Sequence, residues 1–125
     1  MTANSRHNVE IGQRAEQLAC EHLESAGLVL IDRNYRCARG ELDLIMQHRA
    51  TVVFVEVRYR RQTRYGSGAE SVGPRKRARL IATAEHYLQR NPRRAAQPAR
   101  FDVVAIRLQD GGPGFDWIQD AFRVD

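Results

Sequence analysis

Two short stretches decide the fold: GELDLI at residues 40–45 and VFVEVR at residues 53–58, separated by a short turn. Both are mainly apolar, and the second is rich in β-branched residues, so they are predicted to be two strands of a hairpin. Side chains alternate between the faces of a strand. Glu41 and Asp43 therefore share one face of their strand, and Glu56 and Arg58 share one face of theirs.

The length of the hairpin turn decides whether these four charges meet. An even turn of two or four residues, centred on Arg49-Ala50, places Asp43 opposite Glu56 and Glu41 opposite Arg58. An odd turn would put the two carboxylates on opposite faces of the sheet. Directly opposed residues have Cβ atoms roughly 5 Å apart, and like charges at that distance repel. We expect the even turn, and hence a pair of carboxylates that needs a cation.

Glu56 is unusual because it interrupts an apolar run of the kind found in strands that are covered on both faces. The residues alone leave two interpretations of what neutralises it. One is a divalent cation such as Mg²⁺, which prefers oxygen ligands and is often held by one or two carboxylates. The other is a structural ion-pair network with Arg58 or another arginine. A basic segment that follows directly favours the metal, because a phosphodiester substrate needs both.

The remaining pattern predicts an α/β domain with a mixed β-sheet flanked by helices, in the order α-β-β-β-α-β(-β). A helix with an apolar stripe precedes the hairpin, with Asn8 as a candidate cap and Gly27 at its end. A second helix is expected from Pro74 to about Arg90. The predicted strands are residues 28–36, 41–46, 52–57, 101–108 and 115–122.

Composition sets the class of protein. The chain has 125 residues, 42% of them apolar, which fits one domain over residues 1–125, with residues 1–8 expected to be flexible. No apolar stretch is long enough to cross a membrane, and no secretory signal is recognisable, so a cytoplasmic location is expected. Cys20 and Cys37 lack the spacing of a zinc site or a disulfide framework.

The positive charge is concentrated in one segment. The formal net charge is +5, yet eight cations and a single anion fall between Arg58 and Arg79. One-signed clusters of this kind are typical of nucleic-acid-binding surfaces, although a solvated arginine-rich loop is the alternative. No sequence-reading helix is recognisable, so contacts to the backbone are expected. The candidate nucleic-acid-binding residues are Arg60, Arg61, Arg64, Tyr65, Arg75, Lys76 and Arg77.

The order and spacing of these motifs resemble the PD-(D/E)XK restriction-endonuclease-like superfamily. GELDLI is followed by FVEVR after a hairpin, with 13 residues from Asp43 to Glu56. Within the superfamily, the chain is similar through most of its length to the YraN-like bacterial family, which is related to archaeal Holliday junction resolvases. GQRAE at residues 12–16, NYR at 34–36 and RFDVV at 100–104 match as well.

The resemblance implies a restriction-endonuclease-like core, with Asp43 and Glu56 as ligands of Mg²⁺ or Mn²⁺. A backbone carbonyl near Val57 would complete the metal shell. Glu16 would be the acid that many superfamily members bring from the first helix, although a solvated surface glutamate is the alternative. Glu41 would support the same shell.

The chain departs from the superfamily pattern at Arg58, where most members carry lysine. Lysine can lose a proton and activate water, whereas arginine effectively never does. Arg58 can still hold a phosphate or stabilise negative charge in the transition state. Lys76, the only lysine in the chain, is expected in the first turn of the second helix and is a candidate to replace the missing lysine in space.

The sequence therefore predicts a nucleic-acid-binding protein, with a candidate activity as a metal-dependent endonuclease on structured DNA and a role in DNA repair or recombination. The first alternative is a DNA-binding module that keeps the fold but does not turn over. The second is a protein adaptor whose basic surface binds an acidic partner. A junction resolvase would need two active sites, and hence a homodimer.

Overall fold

A computed structural model of the protein describes residues 3–60 and 72–123. Its five strands form one sheet in the order β1-β2-β3-β4-β5, and neighbours are antiparallel except for the parallel pair β3 and β4. The mixed sheet and the predicted order of elements are confirmed. The elements are α1 (Ala3–Ser25), β1 (Val29–Cys37), β2 (Gly40–His48), β3 (Thr51–Arg60), α2 (Pro74–Gln89), α3 (Pro92–Ala95), β4 (Ala99–Gln109) and β5 (Gly112–Phe122).

The helices differ from the prediction in two ways. Helix α1 begins at Ala3, so Asn8 lies inside the helix and residues 3–8 are part of it. No glycine or proline interrupts that stretch, so nothing ends the helix before its apolar stripe begins. The short helix α3 was not predicted. Pro92 follows the end of α2 and occupies the first turn of the new helix, where its fixed backbone angle is favourable.

The sheet is covered on both faces. Helix α1 packs its buried side chains, among them Ala15, Ala19 and Leu23, against one set of strand residues. Helix α2 packs Leu80, Ala84 and Tyr87 against the other set. Between Val52 and Val57 the residues of β3 alternate between these two cores, so this part of the strand has to be apolar. Glu56, only 9% exposed, is the exception.

The hairpin register follows the even turn. Residues pair from His48 with Thr51 to Leu44 with Val55, around a two-residue turn in which Arg49 has a positive φ of 56°. Because the strand period is two, this register gives Asp43 and Glu56 the next two places along the hairpin.

In the part of the chain that the structure describes, no helix is long and apolar enough to cross a bilayer.

Candidate functional site

The candidate site begins where the ladder between β2 and β3 ends. Leu44 and Val55 are the last pair, and beyond them the Val57 N–H donates to Asp43 Oδ2 at 2.8 Å. A carboxylate thus takes the place of a backbone acceptor. The N–H and C=O of one residue point to the same side of a strand, so the Val57 carbonyl also faces the side on which Asp43 lies.

Glu56 is neutralised from the other layer of the fold. Lys76 lies in the first turn of α2, and its Nζ is 2.9 Å from Glu56 Oε1. The Glu56 side chain is 10% exposed and that of Lys76 is 40% exposed, so the ammonium closes the solvent side of a nearly buried carboxylate. The structure therefore places the single lysine of the chain beside the predicted carboxylate pair.

The charged form of the Asp43 carboxyl group is disfavoured by its surroundings. The pKa of Asp43 is raised from 3.8 to about 7, first by burial and next by the neighbouring Glu56 carboxylate. The hydrogen bond from Val57 acts in the opposite direction, while Glu16 and Glu41 add to the repulsion. A carboxyl group with such a pKa marks a place where an added cation is stabilising.

Two further acids reach the same site. The Asn34 amide lies between Glu16 and Glu41, and with its nitrogen facing them it donates to Glu16 Oε1 at 2.8 Å and Glu41 Oε1 at 3.1 Å. This orientation follows from the partners, because carboxylate oxygens only accept. Burial raises the pKa of Glu16, as do the Glu41 and Glu56 charges. Glu16 is thus part of the acidic cluster rather than an isolated surface residue.

Arg58 and Glu41 do not pair as the register predicted. Glu41 lies opposite Arg36 on β1, and the two form an ion pair of 3.2 Å. The difference arises because the β2–β3 ladder has ended before Glu41 is reached. The Arg58 Nη1 atom is buried and has no hydrogen-bond partner among the described residues. A buried donor without a partner is costly, and it is suited to an incoming acceptor such as a phosphate oxygen.

Three of the acids, Glu41, Asp43 and Glu56, line a cleft of about 240 Å³. Gly40 allows α2 to approach closely there, because a Cβ at position 40 would lie only 3.0 Å from Thr83 Oγ1. The φ of Gly40, +151°, is also one that other residues rarely adopt. A larger groove, of about 500 Å³, lies elsewhere beside Phe54, Phe101 and Phe122 and contains no such acidic cluster among the described residues. The acidic cleft is lined by Gly40, Glu41, Asp43, Glu56, Lys76, Arg79 and Leu80.

The donor set fits a hard divalent cation. Within the described ranges, no three His, Cys, Asp or Glu side chains are grouped to hold a metal. Mg²⁺ does not need three, because it is usually held by one or two carboxylates, with waters and substrate phosphate completing its shell. Asp43 Oδ1, Glu56 and the Val57 carbonyl are oxygen donors of the required kind, and Lys76 is the cation with which a metal would compete.

The predicted nucleic-acid-binding residues other than Lys76 divide into three groups. Arg61, Arg64 and Tyr65 lie outside the described residues, as does the side chain of Arg60. Arg75 is exposed at the start of α2. Arg77 donates from Nε to the Val72 carbonyl at 2.8 Å and lies over the Phe122 ring.

Asn34 and Arg79 were not predicted as site residues. Arg79 lies three positions after Lys76 in α2, and residues three apart are neighbours on a helix surface. That spacing was a usable signal for Arg79. Asn34 has a positive φ of 53°, which asparagine tolerates better than most residues, but sequence gives no sign of its two carboxylate partners.

The raised pKa of Asp43 predicts a pH-dependent cost to stability. An acid whose folded pKa exceeds its unfolded value destabilises the fold progressively as pH rises from about 4 to about 7. In EDTA, Asp43→Asn should therefore be more stable than the wild type at pH 8, by more than about 1 kcal/mol. The gap should close as the pH falls to 4.

Urea unfolding across this pH range measures the gap. Asp110→Asn, at an exposed turn residue, is the matched control and should follow the wild type at every pH. A gap for Asp43→Asn that stays constant with pH would show that the carboxyl group is not strained by its neighbours.

A sequence model described as "Uncharacterised protein family UPF0102" matches residues 15–106. A "UPF0102 protein" of Nitrosococcus oceani is 53% identical over 114 residues, covering 91% of this chain and 92% of its own length. One of Pseudomonas aeruginosa is 52% identical over 113 residues, covering 89% and 90%. One of Pseudomonas paraeruginosa is 51% identical over 122 residues, covering 96% and 95%. These names state no activity.

Proposed function

The chain belongs to the uncharacterised protein family UPF0102, and we propose that it is a metal-dependent endonuclease with a restriction-endonuclease-like core. Its substrate would be structured DNA, and its reaction the hydrolysis of a phosphodiester bond. The observation that supports this most is the carboxylate pair Asp43 and Glu56 at the end of the β2–β3 ladder, beside cationic side chains of α2.

The residues in and around the cleft have separate roles in this proposal. Asp43, Glu56 and the Val57 carbonyl hold Mg²⁺ or Mn²⁺, which supplies a water of lowered pKa and stabilises negative charge on the phosphate. Arg58 offers to a phosphate oxygen its Nη1, which has no hydrogen-bond partner within residues 3–60 and 72–123. Glu16 and Glu41, joined through Asn34, keep the negative field that attracts the cation.

The hydrolysis needs no covalent intermediate. A water oxygen forms a bond to phosphorus and gives up one proton to the solvent, while one ester P–O bond breaks in line with it and the departing oxygen takes up a proton from the solvent. Arg58 cannot accept the water proton, because a guanidinium effectively never deprotonates. Within the described residues, the side chains left to orient the water are the acids and Lys76, which lies 2.9 Å from Glu56.

The proposal is tested with labelled duplex, single-stranded and four-way-junction DNA, each incubated with Mg²⁺, Mn²⁺ or EDTA. We expect cleavage that needs the metal and is fastest on a substrate with duplex arms. Cleavage in EDTA, or no cleavage of any substrate, would contradict it. If the junction is the substrate, two sites are needed, and the active species should be a homodimer.

One observation favours a second candidate function. Lys76 already supplies a positive charge to Glu56 at 2.9 Å, as in a structural ion-pair network. A protein of this kind would bind DNA without cutting it. The same assay distinguishes the two, because such a module would show binding that weakens steeply with salt and no products with any metal.

A further inference from the structure

A line of basic side chains runs along α2 from the acidic cleft to the far end of the helix. With 3.6 residues per turn, Arg75, Arg79, His86 and Arg90 fall within about 60° of the helix circumference. Arg75, Arg79 and Arg90 are exposed, and Arg79 also lines the cleft. The exposed positive charge on this face lies at Arg75 and Arg79 beside the cleft and again at Arg90, while His86 between them is hydrogen-bonded through Nδ1 to the Tyr35 hydroxyl at 2.6 Å.

The line ends at a basic pocket that we call the arginine notch, formed where α2 meets α3. It has a volume of about 370 Å³. Arg90 and Arg93 are exposed there, and no ion pair with an acid is formed by either within residues 3–60 and 72–123. The residues that line the notch are Arg90, Asn91, Pro92, Arg93 and Arg94.

The notch is held in place by the β2–β3 hairpin. Arg94 Nη1 donates to Gln47 Oε1 at 2.7 Å, and Gln47 Nε2 donates to the Arg49 carbonyl at 2.8 Å. Gln47 thus fixes α3 beside the hairpin turn, where the Arg49 side chain is exposed. Arg90, Arg93 and Arg94 thus line one notch, and among the described residues no acid is paired to Arg90 or Arg93. Such a one-signed cluster is a site for a polyanion.

The distance between the cleft and the notch indicates whether the polyanion is a duplex or a single strand. Lys76 and Arg90 are fourteen residues apart along α2, which at 1.5 Å per residue is about 20 Å. One strand of a duplex advances 3.4 Å per base pair, so this distance spans about six base pairs. A duplex is stiff over such a length and can contact both places without ordering a flexible strand.

We infer that the chain binds a duplex arm along α2, with the arginine notch contacting the backbone about six base pairs from the phosphate held by Arg75 and Arg79 beside the acidic cleft. This inference rests on the nucleic-acid part of the proposed function and not on hydrolysis. In this inference, residues 90–93 make the contacts that favour a duplex over a single strand. These residues lie outside the basic segment predicted from sequence.

The test is fluorescence anisotropy in EDTA with hairpin-closed duplexes of roughly 4, 12 and 18 base pairs, and with single strands of the same lengths. The variants are Arg90→Gln/Arg93→Gln and the charge-conserving Arg90→Lys/Arg93→Lys. Arg14→Gln is the matched control, because Arg14 is exposed on α1, which covers the other face of the sheet.

For the glutamine double variant we expect about tenfold weaker binding of the longer duplexes and a salt slope smaller by about 2. Binding of the shortest duplex should change by less than about threefold, since it cannot reach both places. The lysine double variant and Arg14→Gln should bind like the wild type.

Equal losses at every duplex length, no loss at all, or the same length dependence with single strands would overturn the inference. Failure of hydrolysis gives a different result. Suppose that the wild type never cleaves DNA, but that the glutamine double variant lacks the wild type's preference for long duplexes. The inferred binding of a duplex arm along α2 then stands, and the proposed hydrolysis does not.

Discussion

Asp43→Asn and Glu56→Gln are each expected to lower metal-dependent DNA cleavage by more than about 100-fold. Loss of groups that only support metal ligands typically costs about 10- to 100-fold, so loss of a ligand itself should cost at least as much. Both replacements keep the size of the side chain. In the first, the new amide oxygen can still accept from the Val57 N–H, which in the wild type donates to Asp43 Oδ2 at 2.8 Å.

The measurement is the single-turnover cleavage rate at saturating protein, with binding of the same DNA recorded in EDTA. Glu85→Gln is the matched control, because Glu85 is an exposed acid of α2 that does not line the acidic cleft. We expect the control to cleave like the wild type and all variants to bind DNA. Activity within about tenfold of the wild type in either cleft variant would remove that residue from the metal site.

Asp102→Asn is expected to lower the free energy of unfolding by about 3–5 kcal/mol, because it breaks a buried ion pair from one side. Asp102 is fully buried, and Arg100 pairs with both of its oxygens, at 3.0 and 3.2 Å. Trp117 Nε1 donates to Oδ2 at 2.9 Å, and the Asp120 N–H donates to Oδ1 at 2.9 Å. A neutral amide would leave the Arg100 charge without a counter-ion and turn a donor towards other donors.

Trp117 is the only tryptophan in the chain, so urea unfolding can be followed by its fluorescence. Asp116→Asn is the matched control on the neighbouring strand β5. Asp116 is partly exposed, and its ion pair with Arg107 is 3.8 Å long. Such pairs contribute at most about 1 kcal/mol. If Asp102→Asn costs no more than this control, the network around Asp102 does not stabilise the fold in the way its geometry indicates.

The parts of the fold that follow from local periodicity were predictable. A two-residue period and an even turn were enough to give the hairpin register and to bring Asp43 and Glu56 to neighbouring places. The polar residue in an apolar strand also identified Glu56 as exceptional. These features depend on residues close together in the chain.

Contacts between distant segments were not predictable in the same way. The 2.9 Å contact of Lys76 with Glu56 depends on how α2 is laid across the sheet, which no local pattern specifies. The network around Asp102 was not predicted. Its partners depend on an irregular β4–β5 register between Phe101 and Val103 and on the positive φ of Asp120, and neither has a sequence signature.

The central claim is that the Asp43–Glu56 pair binds a divalent cation, and titration of Mn²⁺ into metal-free protein, with free Mn²⁺ followed by electron paramagnetic resonance, tests it most directly. The account predicts binding to the wild type that is at least about tenfold weaker in Asp43→Asn. In Lys76→Met, binding should be tighter than in the wild type, because the ammonium no longer competes for Glu56. Equal affinity in all three proteins, or no binding in any of them, would contradict the account.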